Sequence, residues 1–307
     1  MGQATEDTRN LSTVTMHTLI LVVTIILSLT GNSLLCLAFC RNRRLRTITN
    51  FYVFSLAVSD IIMATFGYPF SAVASGLRKW PFGFNFCQFN GFLSYLWAVM
   101  SVRILALTAV NRYYCIVKPR FYVTRFTAKK TVFSILIMWL FSFTVGLTVF
   151  LNASVEFKWH PHYLFCQVTM PDFPASKVIN FAFVTGFTAL PLGIIFYCYG
   201  RVYRAIRRHN AAVVPSLQDA NNQGTLSARE IQTSRVLLAA VTAFCVCWIP
   251  STLALVLEQF SEIPPFWQSF FTFSASCSSW SNPVIYGVMN RAMRKECMKL
   301  LGYQKET

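Results

Sequence analysis

Long apolar windows alternate with short polar segments along the whole chain. A helix that crosses a bilayer needs about 20 mostly apolar residues. Windows free, or nearly free, of Asp, Glu, Lys and Arg run from Met16 to Cys40, Phe51 to Leu77, Phe84 to Val110, Thr131 to Leu151, Val178 to Gly200, Val236 to Leu257 and Pro264 to Asn290. Asp60 in the second and Arg103 in the third are the exceptions. Hydrocarbon does not tolerate unsatisfied backbone groups, so each window must be a helix or a barrel strand, and runs this long without alternation are helices. The pattern predicts an all-α membrane protein built as a seven-transmembrane helix bundle. Pro69, Pro191, Pro250 and Pro283 fall inside windows, where membrane helices accept them as kinks.

Composition agrees. Hydrophobic residues make up 55% of the 307 and charged residues 12%, with 29 Phe and a mean hydropathy of +0.49. A soluble domain carries roughly 25% charged residues. The net charge of +16 could point to nucleic acid, so the placement of the charges decides. Arg41, Arg43, Arg44 and Arg46 directly follow the first window, which places that end in the cytosol and the amino terminus outside. With seven spans, 21 of the 27 basic residues then lie on the cytosolic side, and nucleic acid is not needed to explain them. The expected organisation is an extracellular amino terminus (1–15) without a cleavable signal pattern, a seven-transmembrane domain (16–290) and a cytoplasmic tail (291–307).

The same topology sorts the ten cysteines. Only Cys87 and Cys166 reach the outer face, and a disulfide between them would tie the start of the third helix to the loop between the fourth and fifth. The sequons at Asn10 and Asn152 are also external and open to glycosylation, Asn152 lying at the membrane edge.

Ordered motifs then carry a resemblance. Gly31-Asn32 lies in the first span, Leu56-Ala-Val-Ser-Asp60 in the second, and Cys87 and Asn111-Arg112-Tyr113 open and close the third. Trp139 follows in the fourth, Pro191 with Tyr199 in the fifth, Phe244-x-x-Cys-Trp248-Ile-Pro250 in the sixth and Asn282-Pro283-Val-Ile-Tyr286 in the seventh. The chain resembles the rhodopsin-like (class A) G-protein-coupled receptors over all seven spans. The resemblance implies plasma-membrane residence, an extracellular ligand, and heterotrimeric G protein and arrestin as cytosolic partners. Arg112 would pair with Glu230 to close the inner face, Tyr199 and Tyr286 would swing inward on activation, and Phe244, Trp248 and Pro250 would form the hinge. Asn111 stands where most relatives have Asp, which would leave Arg112 freer.

Asp60 is a carboxylate near the middle of a span and is therefore a functional candidate. The family counterpart binds sodium, with Ser101, Ser278, Asn282 and the nearby Trp248 completing the site here. The alternative is a protonated Asp60 bonded to Asn32 and Asn282. Arg103 is out of phase with Arg112 and is expected to pair structurally with the fourth or fifth helix. After the last span, residues 291–301 alternate basic and apolar residues as an amphipathic eighth helix on membrane lipid does, with Cys297 either palmitoylated or a free thiol. The loop from about Arg207 to Arg229 is polar and is assigned no structure.

The ligand is less legible. Ser94 stands where amine receptors carry their Asp, and Ser276 where opsins carry the retinal Lys, so covalent retinal is excluded. The nearest branches are melatonin-like and opsin-like, through Asn111-Arg-Tyr-Tyr-Cys, Gln167 after Cys166, and Asn290-Arg-Ala-Met-Arg-Lys-Glu. Pro283, Phe183 and Phe187 depart from the melatonin pattern and argue against melatonin itself. Ser94, Gln167, Phe183, Phe187, Trp248 and Ser276 would line a mostly apolar pocket suited to a small uncharged ligand, a melatonin-like indole among them. A short peptide agonist and a non-signalling receptor-like partner are the alternatives. A transporter or channel would need paired charges or repeated halves, and neither is present.

Overall fold

The computed structural model describes residues 7, 9–151, 155–169, 185–213, 228–258 and 261–303. Ten α-helices and one hairpin occur among them: α1 (Leu11–Arg41), α2 (Ile48–Phe66), α3 (Tyr68–Gly76), α4 (Gly83–Val117), α5 (Pro119–Arg125), α6 (Ala128–Phe150), β1 (Glu156–His160), β2 (Phe165–Thr169), α7 (Leu190–Val213), α8 (Ala228–Leu257), α9 (Pro265–Met289) and α10 (Arg291–Leu300). The seven spans are α1, α2 continued by α3, α4, α6, α7, α8 and α9, and α10 is the amphipathic eighth helix. Segments Leu11–Arg41, Ile48–Gly76, Gly83–Val117, Ala128–Phe150 and Glu230–Ala254 are long and apolar enough to cross a membrane by composition alone. The start of the fifth window, residues 178–184, lies outside the described residues. The last span, α9, has the length for a crossing but carries six serines in its 25 residues.

Several boundaries differ from the apolar windows, each for a local reason. Helix α1 starts at Leu11, inside the stretch assigned to the extracellular amino terminus, because the Asn10 side chain accepts from the Thr13 N–H at 2.8 Å and caps it. Helix α7 continues past Gly200 to Val213, so Arg207 is helical rather than in a loop. The second span breaks at Gly67, two residues before Pro69, and Asn90 of α4 donates to the Gly67 carbonyl at 3.4 Å. The same carbonyl accepts from the Ser71 N–H at 3.4 Å, so the break is bonded from both sides.

Helix α4 is the axis of the bundle: it packs against α2, α6, α7 and α8 and against both strands. Outward faces of the other helices carry exposed large apolar residues such as Leu19, Ile26, Phe133, Leu140, Phe196 and Val246, which is the surface a lipid solvent permits. Between helices in lipid, packing and polar bonds replace the hydrophobic drive. Gly31 lets α1 approach α9 closely, since a Cβ there would lie 2.7 Å from the Pro283 ring. The Ser28 and Ser279 hydroxyls meet at 2.9 Å, and Trp139 donates to Ser55 at 3.0 Å. Arg103 donates to Ser142 of α6 at 3.5 Å and lies 4.9 Å from the Phe141 ring centroid, a structural pairing with the fourth span.

Candidate functional site

One end of the bundle is closed by the hairpin. Strands β1 and β2 pair antiparallel with Trp159 opposite Cys166, and the Cys87–Cys166 disulfide fastens them to the start of α4 with a Cα separation of 5.6 Å. Gln88 holds the other strand, β1, by both ends of its amide, donating to the Phe157 carbonyl at 2.7 Å and accepting from the Phe157 N–H at 3.0 Å. Gly91 makes this docking possible, since a Cβ there would lie 2.1 Å from the Phe157 ring. The turn is tied down as well: Ser269 of α9 donates to the His162 carbonyl at 2.8 Å, and the Tyr163 hydroxyl bonds Glu258 at the end of α8. Burial pushes the Glu258 carboxyl above its usual range, against the pull of the Tyr163 hydrogen bond. Burial, then the nearby His162, lowers His160 to about 4.

The amino-terminal segment joins this end. Arg9 is buried and donates to Asp7 at 2.6 Å, to His17 Nδ1 at 3.1 Å and to Ser75 Oγ at 3.2 Å. Burial raises the Asp7 carboxyl pKa, and the hydrogen bonds and charge of Arg9 pull it down by more.

Under the hairpin lies a cavity of about 200 Å³ with no charged side chain in its lining. Ser94, Gln167, Trp248 and Ser276 all line it. Ser94 donates to the Asn90 carbonyl and Ser276 to the Thr272 carbonyl, each at 2.9 Å, so both hydroxyls present lone pairs to the cavity. Phe183 lies outside the described residues, as does the side chain of Phe187. A wider cavity of about 830 Å³ adjoins it, with Phe157, Tyr163, Gln167 and Val168 in common and Arg78, Lys79, Lys158 and Glu258 farther out.

Trp97 and Trp248 belong to the inner cavity, with ring centroids 5.3 Å apart, and Phe244 stacks beneath Trp248 at 5.6 Å. Trp97 also donates its indole N–H to Asp60 Oδ1 at 2.9 Å; Ser279 donates to the same oxygen at 3.1 Å and Asn282 to Oδ2 at 3.5 Å. The expected sodium ligands are arranged otherwise. Ser101 donates to the Trp97 carbonyl at 2.9 Å, and Ser278 donates to the Ala275 carbonyl at 2.7 Å while accepting from Trp248 at 2.9 Å. A hard cation needs oxygen lone pairs. A carboxylate ringed by hydrogen-bond donors, one of them an indole that has no lone pair to offer, does not fit it. The Asn32 amide N–H₂ is not bonded to Asp60 either; it donates to the carbonyls of Ser28 at 2.9 Å and Ser279 at 2.8 Å.

At the opposite end Arg112 is 2% exposed. Its Nη1 meets Glu230 Oε2 at 2.8 Å, and Glu230 is itself 42% exposed. Asn111 Oδ1 accepts from Arg112 Nε at 3.2 Å and Nη2 at 2.7 Å, and Thr49 accepts from Nη2 as well. The neutral Asn111 therefore does not leave Arg112 freer: its amide oxygen takes two of the guanidinium hydrogens. Tyr113 turns away, with its ring 6.1 Å from that of Tyr197. Tyr199 and Tyr286 are buried, and the Tyr199 hydroxyl has no hydrogen-bond partner among the described residues. A cavity of about 430 Å³ opens here beside Arg112, Tyr122, Glu230 and Asn290.

Residues 31–286 match the family described as 7 transmembrane receptor (rhodopsin family). The chain belongs to the rhodopsin family of seven-transmembrane receptors. As a member it is a multi-pass membrane receptor and not an enzyme. Over 281 residues the receptor is 28% identical to "Rhodopsin, GQ-coupled" of Mizuhopecten yessoensis, covering 88% of this chain and 56% of that protein. It is 27% identical over 288 residues to melatonin receptor type 1A of Gallus gallus, covering 92% of this chain and 79% of the relative. The receptor thus spans little more than half of one relative's length and about four-fifths of the other's. The crystal structure of squid rhodopsin has the same fold, with a TM-score of 0.83 over 96% of this chain and 88% of that one, at 20% identity.

Trp97, Ser279, Thr49 and the Tyr163–Glu258 pair are among the site residues of this receptor that motif spacing did not single out. Trp97 lies one turn before Ser101 on the same face of α4, the one signal in the sequence that could have pointed to it. The remaining candidates are peripheral to both cavities. Asn10 is exposed at the α1 cap, and Asn152 lies outside the described residues. Cys297 is half-buried on α10 with its sulfur 3.9 Å from the Leu34 carbonyl, and burial raises its thiol pKa.

Proposed function

We propose that the receptor binds a small, uncharged, mostly apolar ligand under the hairpin and, on opening the Arg112 end, activates heterotrimeric G proteins. The disulfide end faces outward and the Arg112 end the cytosol, following the basic residues and the redox state each side imposes. One observation carries the reading: the cavity under the hairpin and the clasp at Arg112 lie at opposite ends of the bundle, and the aromatic column Trp97 to Trp248 to Phe244 leads from the cavity into the core packed between them. A ligand that binds the open arrangement better than the closed one shifts the balance between them. Opening moves Tyr199, whose buried hydroxyl gains by finding a partner.

The cavity supports the ligand class. At about 200 Å³ it is below the roughly 300–1,000 Å³ of drug-sized sites. It offers aromatic faces and hydroxyl lone pairs but no counter-ion, which favours a compact aromatic ligand with an N–H or O–H donor, as in a melatonin-like indole. The test is a G-protein dissociation panel in cells, in darkness and light, with melatonin, other indoles, lipids and short peptides. Basal or agonist-driven dissociation that Arg112→Ala abolishes without lowering surface expression is the expected result. Surface-expressed receptor with no coupling at all, basal coupling included, overturns it.

A further inference from the structure

We propose that Trp97 takes the place of a cation at Asp60, so that the resting receptor does not respond to sodium. Asp60 is 3% exposed, in the middle of the bundle, where a bare carboxylate would be costly. Two of its satisfying contacts fall on one oxygen: the Trp97 indole N–H at 2.9 Å and the Ser279 hydroxyl at 3.1 Å. Ser279 could rotate and offer a lone pair to an ion, but the indole N–H cannot, because it is a donor only. For sodium to reach that oxygen, Trp97 would have to leave.

Its surroundings oppose that departure. The Trp97 ring is 7% exposed and packs edge-on against Tyr68 at 6.0 Å and at a tilt against Trp248 at 5.3 Å. The hydroxyls that would complete an ion's shell point elsewhere, Ser101 to the Trp97 carbonyl and Ser278 to the Ala275 carbonyl. A large side chain thus occupies the volume beside that oxygen and offers an N–H dipole where an ion would offer its charge.

The substitution also shortens the route between pocket and carboxylate. Trp97 lines the cavity under the hairpin and holds Asp60 with the same ring. A ligand that displaces this ring acts on Asp60 directly, without first expelling an ion. The sodium part of the inference stands whether or not that cavity takes a ligand, and its test needs no coupling.

The experiment is thermal unfolding of the full chain in lipid nanodiscs, in about 0.15 M sodium chloride against choline chloride at the same concentration. Wild type is expected to unfold within about 1 °C in the two salts, because an ion that does not bind the native state does not stabilise it. Trp97→Ala or Trp97→Asn is expected to gain a rise of about 3 °C or more in sodium, which a second change, Asp60→Asn, removes. A wild-type rise of that size, itself removed by Asp60→Asn, overturns the proposal, and so do folded Trp97 variants that stay indifferent to sodium. The wild-type arm decides against the proposal even where a variant fails to fold.

Discussion

The disulfide end and the Arg112 end are fastened by different kinds of bond. At the first, a covalent link, the paired Gln88 amide bonds, the Ser269 and Tyr163 contacts and the buried Arg9 cluster hold the hairpin to α4, α8 and α9 and the amino-terminal segment to α1 and α3. At the second, α4 is joined to α8 through a single half-exposed acid, Glu230, which takes the Arg112 ion pair and a Cys115 thiol contact. With Arg112 buried and Glu230 half-exposed, the pair lies between a surface pair, worth about 0–1 kcal/mol, and a buried one, yet it is not covalent. The disulfide closes a separation of 79 residues, and such a link is worth roughly 2–5 kcal/mol. Binding geometry is built where the fastening is strong, and the part that must open is built where it is weak.

This contrast is easiest to break at its strong end. Replacing both Cys87 and Cys166 by Ser is expected to cost roughly 2–5 kcal/mol and to cut surface expression sharply, as read by thermal unfolding and cell-surface labelling. Unchanged stability would mean that Gln88 and the Gly91 contact suffice to seat the hairpin. Acid should loosen the same end by less. His160 has its pKa lowered to about 4, so as pH falls below the unfolded value of about 6.5 the unfolded chain takes up a proton that the folded one refuses. Stability is therefore full above about pH 6.5 and declines toward pH 4, by about 1 kcal/mol at pH 5 once partial exposure is discounted. His160→Gln should flatten that decline in unfolding scans at the two pH values, and an equal decline in the variant assigns it to other groups. The smallest effect belongs to the weak end. Glu230→Gln should raise basal nucleotide exchange about two- to fivefold, the worth of one half-exposed pair whose Arg112 keeps its Asn111 and Thr49 bonds. An unchanged basal rate would show that Asn111 and Thr49 hold Arg112 on their own.

Where physics acts along one helix, the chain could be read directly. Windows without charge became spans, because a single ionisable residue in hydrocarbon is costly enough to mark itself. Cys87–Cys166 followed from which thiols reach the outside, and Arg112–Glu230 from the family motif. What escaped needs the relation between elements. The hairpin depends on Gly91 admitting Phe157, which no local pattern encodes. Around Asp60 the family pattern points to Ser278 where the structure uses Ser279, and adjacent helical residues differ by about 100° in direction. Which of them faces inward is decided by the rotation of α9 against α2 and by the Pro283 ring seated on Gly31. Trp97 carries no mark of its own in the chain: a large aromatic residue on a buried face is usually packing, and only its N–H direction reveals a second role. The α1 start, by contrast, was marked in the chain by the Asn10 cap.

The serines of α9 have a mechanical meaning. Ser276, Ser278 and Ser281 each return their hydroxyl hydrogen to a carbonyl three or four residues earlier in their own helix, and Pro283 removes a backbone donor just beyond them. Such back-bonding competes with the backbone ladder and softens a helix against bending. Ser274 also holds the Cys247 carbonyl near Pro250, so the last two spans are bonded to each other beside the points where proline interrupts their ladders. Polar residues that reduce this helix's preference for lipid thereby also tie it to its neighbour where both can bend.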